Sequence, residues 1–246
     1  MNVIPIHLEE DIQAKSNLAD LILSSISNAS YRLKKYDVLV VAHKIVSKAE
    51  GRIIALATVK PSMRAIRIAK KHRKDPRIVE LILRESRRIV KMKRGIIITE
   101  TRHGFVCANA GIDRSNIRGD SVVLLPKNPD RSADLIRRAI RKHTRKNVAV
   151  IISDTFGRPF RRGQANVAIG ISGLNPFKDY RGTKDMFGKE LKVTEIAVAD
   201  EIASAAELVM GKTDGVPITI ITDFKYENKQ GTAKELIRKR QYDIFR

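Results

Sequence analysis

A chain of 246 residues with 43% hydrophobic content is long enough for one large domain or two moderate ones with a sizeable core. Its single cysteine, Cys107, excludes an internal disulfide and a cysteine-built zinc site, and no run approaches the roughly 18 apolar residues of a membrane span. The 48 Lys and Arg against 27 Asp and Glu give a formal net charge of +21, which calls for anionic partners: nucleotide, anionic substrate or nucleic acid. Nothing at the N-terminus resembles a secretory leader, and with one cysteine the expected location is the reducing cytoplasm. Aromatic residues are only 5% of the chain and there is no Trp, so the stacking platforms of a nucleic-acid binder are missing and that partner is the weaker expectation.

In chain order, "VLVVAHKIV" (38–46) reads as a buried strand, and "SKAEGRIIAL" turns at Gly51 into another. Two helices follow, "PSMRAIRIAKKH" and "DPRIVELILRESRRIVKM", the second with Asp75 as N-cap and Pro76 at its first position. They lie in a basic stretch: residues 60–94 hold 14 basic and 3 acidic side chains. "GIIITETRHGFVCANAG" (95–111) predicts a hairpin turning at His103-Gly104. "SVVLLP" reads as a strand, "NPDRSADLIRRAIRKHT" as a helix, and "VAVIISDT" (148–155) as a strand buried on both faces. Residues 156–192, glycine-rich and polar, read as the longest functional loop region; a helix at 193–210, the strand "VPITIITD" and a charged, helical tail over 224–246 complete the chain. Antiparallel hairpin signals beside helical crossovers predict a mixed α/β (α+β) fold. No linker divides it, so residues 1–223 read as one domain or two interwoven lobes.

The residues suited to chemistry fall in four places. Asp113, in "NAGIDRSN", and Asp154, in "IISDT", are carboxylates beside hydroxyl or amide neighbours, the oxygen donors that magnesium or manganese prefers; either is equally explained as an Asx-turn or cap residue. Arg158, Arg161 and Arg162 crowd a glycine-containing loop and suit phosphate or carboxylate recognition, with simple solvation as the alternative. His43, Lys44, Ser47 and Lys48 stand at the end of a buried strand, where ligand sites in sheet proteins tend to lie. The fourth, "AELVMGKT" (206–213), fits a loose phosphate-loop pattern but lacks the opening glycine and follows a helix instead of a strand. His103 suits a turn and Cys107 a packed thiol. No Ser-His-Asp order, zinc-protease helix, dinucleotide fingerprint or kinase set is present, so covalent serine hydrolysis and hydride transfer have no support.

The blocks "VSKAEGR", "LRES", "ETRHGFVCANAGIDRSN", "SDTFGRPFRRGQ", "VAIGISG", "DYRGTKDMFGKEL" and "VTEIAVADEIASAAELVMGKTDGVP", in this order, resemble the coenzyme F-420:L-glutamate ligase (F-420-0 gamma-glutamyl ligase) family from about residue 4 to 222. The resemblance implies an unusual two-lobed fold with mixed sheets in an intertwined homodimer. It also implies a GTP-dependent ligase, with Mg²⁺ or Mn²⁺ and K⁺ as helpers, that adds L-glutamate to F-420-0 and then a second glutamate through a gamma linkage. On the same ground Asp113, Asp154 and Thr155 become metal and catalytic residues. Ile4, Pro5, Ile6, His7, His43, Lys44, Lys48, Asn116 and the turn Met210, Gly211, Lys212 become nucleotide contacts. Lys212 departs from relatives that carry an acidic or amide residue there, since an ammonium cannot ligate a cation. A related ligase acting on another carboxylate shares these features and stays open, as does polyanion binding.

Overall fold

The computed structural model describes residues 1–8 and 11–244. The first half of the chain forms β1 (Asn2–Ile6), α1 (Leu18–Asn28), β2 (Val38–Ala42), α2 (His43–Ala49), β3 (Ile53–Ala55), α3 (Met63–His72), α4 (Pro76–Glu85), β4 (Ser86–Lys93), β5 (Ile96–Thr101) and β6 (Val106–Ala108). The second half forms β7 (Ser121–Val123), α5 (Pro129–Thr144), β8 (Ala149–Gly157), β9 (Gln164–Ser172), β10 (Lys178–Asp179), β11 (Glu195–Ile196), α6 (Val198–Met210) and β12 (Ile218–Thr222).

The centre is a five-stranded mixed sheet in the order β1-β12-β2-β8-β9, in which only β2 and β8 run parallel. Strand alternation sends successive side chains to opposite faces, and both faces are covered. Leu39, Val41, Val150, Ile152, Ile218 and Ile220 meet Ile22 and Ile26 of α1 and Ile136 and Ile140 of α5 on one side. Val38, Val40, Ala149, Ile151 and Ile221 meet Ile202, Ala203, Ala206 and Met210 of α6 on the other. Each fully buried Ile or Leu in such a layer contributes about 1.5–3 kcal/mol. Helix α5 lies so close to β9 that a Cβ on Gly170 would come within 2.5 Å of the Pro129 carbonyl carbon, so only glycine permits this approach.

The elements between α2 and α5 build separate, smaller cores. Ala65 and Ala69 of α3, Val79 and Ile82 of α4 and Ile97 of β5 form one, against the sheet β4-β5-β6. Leu56, Leu81, Val122 and Leu124 form another beside the β3-β7 pair. Local caps explain where the two helices start: Ser62 accepts the Ala65 N–H at 3.2 Å, and Asp75 accepts the Arg77 N–H at 2.8 Å behind Pro76 at the first helical position. Glu80 of α4 reaches back to the Ser62 N–H at 2.9 Å and to Arg84 at 2.9 Å, tying the start of α3 to α4.

Four expectations from the sequence need correction. The strand at 38–46 stops at Ala42 and becomes α2, because Ile45 and Val46, β-branched as in a strand, bury as the inner face of a helix. The helix beginning at Pro76 ends at Glu85; Ser86 is extended, its hydroxyl closes the last turn on the Ile82 carbonyl at 2.6 Å, and 86–93 is strand. The stretch 156–192 is not all loop, since Gln164–Ser172 is a nine-residue strand whose outer N–H groups are taken by side chains: Ala168 by Asp200 at 2.9 Å and Ile171 by Asp130 at 2.8 Å. The tail expected to be helical forms only two short 3₁₀ turns, Ala233–Leu236 and Arg240–Tyr242, and lies extended along β9, where Ala233 donates to the same Asp130 oxygen at 2.8 Å. Residues 245–246 of that tail lie outside the described residues.

Candidate active site

Helix α2 begins where β2 leaves the sheet, and its first two residues point at two different carboxylates. His43 is 2% exposed, and its Nε2 lies 3.2 Å from Asp154 Oδ1, a contact without hydrogen-bond alignment. Lys44 Nζ lies 2.7 Å from Asp113 Oδ2 and 2.5 Å from Ser115 Oγ. Two acids 41 residues apart in sequence therefore converge on neighbouring residues of one turn.

Each carboxylate is held by its own local structure. Asp113 exchanges both backbone hydrogen bonds with Val123 of β7, and the chain reaches it through three consecutive residues with positive φ, Asn109, Ala110 and Gly111. Its Oδ1 accepts the Ser115 N–H at 2.8 Å and its Oδ2 the Ser115 hydroxyl at 2.9 Å, so the Asx turn and the Lys44 contact coexist in one side chain. Burial pushes the Asp113 carboxyl up, but the Lys44 ammonium and the Ser115 donors outweigh it, and the net displacement is below the ordinary value. Asp154 is not a strand-end residue, because β8 continues to Gly157; its Oδ1 accepts the Thr155 N–H at 2.7 Å.

Thr155 links this pair to a third region. Its hydroxyl donates to Asn166 Oδ1 at 2.7 Å across the β8–β9 ladder, and Lys212 Nζ donates to that hydroxyl oxygen at 2.9 Å. Lys212 is also 3.1 Å from Glu207 of α6, and its backbone carbonyl accepts the Asn116 side-chain amide at 3.2 Å. Residues 206–210 are helix, so "AELVMGKT" has no phosphate-loop geometry; the turn after the helix is what reaches the site. Met210 is 5% exposed and belongs to the core beneath α6, leaving Gly211 and Lys212 as the surface of that turn.

Lys48 lies one helical turn beyond Lys44 and pairs with Asp11 at 3.1 Å. Ile4, Pro5 and Ile6 are strand residues of β1 paired to β12, with Ile6 wholly inside the core, and His7 follows; Leu8 N–H then reaches the Gly215 carbonyl at 3.4 Å, beside the Lys212 turn. Arg158, Arg161 and Arg162 sit in the exposed turn between β8 and β9, where Arg158 donates to the Arg162 carbonyl at 2.6 Å. Four residues of extended strand place Arg158 about 13 Å from Asp154, so the arginines form the rim of the site and not its floor. Cys107 is buried, and burial, then the nearby Asp154 charge, pushes its thiol up to about 12, which removes it as a nucleophile. Asn166 escaped the sequence reading because its strand was read as loop; Glu207 escaped because it was read only as helix filler.

The donors Asp113, Asp154 and Thr155 are all oxygens. That set suits a hard divalent cation, which takes one or two carboxylates and completes its shell from water and substrate phosphates. Among the described residues no three His, Cys, Asp or Glu side chains converge as a self-sufficient cage.

A model of the F420-0:gamma-glutamyl ligase family matches residues 8–223, a span that contains His43, Lys44, Asp113, Asp154, Thr155 and Lys212. The chain belongs to that family. It is 48% identical to the coenzyme F420:L-glutamate ligase of Methanocaldococcus jannaschii over 231 residues, covering 94% of this chain and 90% of the relative. The ligase of that name from Methanothermobacter thermautotrophicus is 47% identical, covering 96% of this chain and 94% of the relative, and the one from Archaeoglobus fulgidus is 41% identical, covering 100% and 96%. The gamma-glutamyl ligase match ends at Asp223, where the extended tail begins, and starts after β1 and His7. No helix among the described residues is long and apolar enough to cross a membrane.

Proposed function

We propose that this protein is a GTP-dependent ligase that joins the amino group of L-glutamate to F-420-0, and then a second glutamate to the gamma-carboxylate of the first, in coenzyme F-420 biosynthesis. The observation that carries the reading is the convergence of Asp113 and Asp154 on His43 and Lys44, in a chain that matches the gamma-glutamyl ligase family over residues 8–223. Amide formation from a carboxylate is uphill in water and needs activation. A substrate carboxylate oxygen attacks the terminal phosphorus of GTP, the bond to the bridging oxygen breaks, and GDP leaves. The glutamate amine then attacks the acyl carbon of the acyl phosphate, loses a proton, and expels inorganic phosphate.

Neither step needs a protein nucleophile, and the site offers none, since its cysteine is buried and protonated. The work of the chain is positioning and charge neutralisation. Lys44 and Lys212 bring two ammonium groups to the edge where phosphates bind, with Asn116 fixing the Lys212 turn. Asp113, Asp154 and Thr155 hold magnesium or manganese, which when bound supplies Lewis-acid neutralisation of phosphate charge; potassium belongs to the same proposal as a helper. Arg158, Arg161 and Arg162 on the rim attract the anionic deazaflavin and glutamate, consistent with a net charge of +21.

A homodimer completes the reading. Phe160 is 90% exposed, Met186 89%, Phe187 87% and Val193 87%, apolar side chains on the long 158–197 excursions that a second copy would cover. The test is mass spectrometry of F-420-0 incubated with protein, glutamate, GTP and manganese, with each omitted in turn. Gain of one or two glutamyl units that disappears without GTP or metal supports the proposal; no gain in the complete mixture rejects it.

A further inference from the structure

We infer that Asp11 reads the edge of the purine base, accepting two adjacent N–H groups and so selecting guanine over adenine. The inference rests on the nucleotide-dependent reading above and names a residue that sets its specificity.

A cleft of about 320 Å³ opens beside the site, lined by Asp11, Gln13, Lys48, Ile53, Ile117 and Arg118 over a floor at Ile12. It continues from the cluster in two ways. Lys44 and Lys48 share one face of α2, and four residues of helix advance about 6 Å, the scale that separates the phosphates of a nucleotide from its sugar and base. Asn116, whose amide holds the Lys212 turn, immediately precedes Ile117 and Arg118 in the cleft wall. A nucleotide with its phosphates at Asp113 and Lys44 therefore extends its base toward Asp11.

The walls suit a base. Ile53, 38% exposed, and the half-buried Ile117 offer apolar surface to the faces of a planar ring. Asp11 supplies the polar end: its Oδ1 lies 3.1 Å from Lys48 Nζ and its Oδ2 3.7 Å from the exposed Arg118. The Lys48 hydrogen bond and charge hold its carboxyl below the ordinary range, so the group is an acceptor with no proton to give. Guanine presents N1–H and the 2-amino group side by side and satisfies both oxygens of such a carboxylate. Adenine places a lone pair on N1 at that position, leaving the carboxylate opposed by another acceptor, and a site built to bond a donor strongly rejects an analogue that lacks it.

The test is equilibrium binding of GDP, inosine diphosphate, xanthosine diphosphate and ADP, with manganese, to the wild-type protein and to Asp11→Asn and Asp11→Ala. The wild type should favour GDP over ADP by at least about tenfold, with inosine diphosphate, which lacks the 2-amino group, between them. Asp11→Asn should lose that preference and gain affinity for xanthosine diphosphate, whose 2-oxo group accepts from the new amide while N1–H still donates to its oxygen. Asp11→Ala should lose selectivity without the gain. Equal losses for all four nucleotides in both variants would assign Asp11 to the ribose and overturn the inference. Unchanged selectivity in Asp11→Asn would overturn it while leaving nucleotide dependence standing, whereas a wild type that binds none of the four would reject the nucleotide reading itself.

Discussion

His43 and Lys44 divide two carboxylates between them: His43 Nε2 lies 3.2 Å from Asp154, and Lys44 Nζ lies 2.7 Å from Asp113. One backbone turn thus sets the separation of the two acids, although each is carried by a different strand system. Asp154→Asn and Asp113→Asn keep the shape and remove the charge. Each should lower glutamyl transfer by about a thousandfold or more while leaving the circular dichroism spectrum unchanged. Retained turnover in either, measured by product mass, would reject that residue's metal role.

Lys212 bridges the Thr155 hydroxyl at 2.9 Å and Glu207 at 3.1 Å, and its side chain is 56% exposed. An exposed ion pair contributes little to folding, so Lys212→Ala should shift the melting temperature by no more than a degree or two. Nucleotide affinity should fall about tenfold, the effect of losing one charge-assisted contact to phosphate. Titration calorimetry with GDP checks this; an unchanged dissociation constant would place the lysine outside the phosphate site.

Cys107 gives a negative prediction. With its thiol pushed up to about 12 by burial and then by the Asp154 charge, it holds almost no thiolate at pH 8. Native protein should resist iodoacetamide at that pH, while denatured protein reacts fully, as read by intact mass. Cys107→Ala should retain turnover, and its loss would return the thiol to the mechanism.

Glu80 predicts how stability depends on acid. Donors from Ser62, then Arg84, lower its carboxyl from 4.5 to about 2. A depressed carboxylate stabilises the fold above its unfolded value, and that contribution is lost as pH falls from about 4.5 toward 2. Glu80→Gln should flatten this part of the acid limb in urea unfolding, and should cost about 1 kcal/mol at pH 7, because the Ser62 and Arg84 donors lose a charged acceptor but are themselves exposed to solvent. An acid limb as steep as the wild type's would show that other carboxylates carry the effect.

The main sheet was legible because β2, β12 and the first half of β8 are short runs dominated by Val, Ile, Leu and Thr, the mark of strands buried on both faces. The cap Asp75 was legible because its side chain acts within two residues of its own position. What was hidden depends on contacts distant in sequence. Strand β9 carries Gln, Ala, Asn and Gly in place of a β-branched run, and is held as strand by β8 on one side and by Asp130 and Asp200 on the other. Asn166 could not be ranked above its neighbours until β8 brought Thr155 to it. Of the site, the two aspartates were visible as residue types; that they meet on consecutive residues of α2 is a property of the fold alone.

The position of residues 227–236 bears on how the protein survives at high concentration. Strand β9 ends the sheet, and a bare outer strand is a template on which another molecule can add its own. Here the row of N–H groups is stopped by two carboxylates, and the stretch around Ala233 lies over it, sharing the Asp130 oxygen with Ile171. This segment lies beyond residues 8–223 matched to the family model, yet Ala233 is wholly buried in the core beneath α6, so the covering is part of the fold. It works as a selvage, finishing the edge of the sheet so that the fabric is not free to be joined to the next piece.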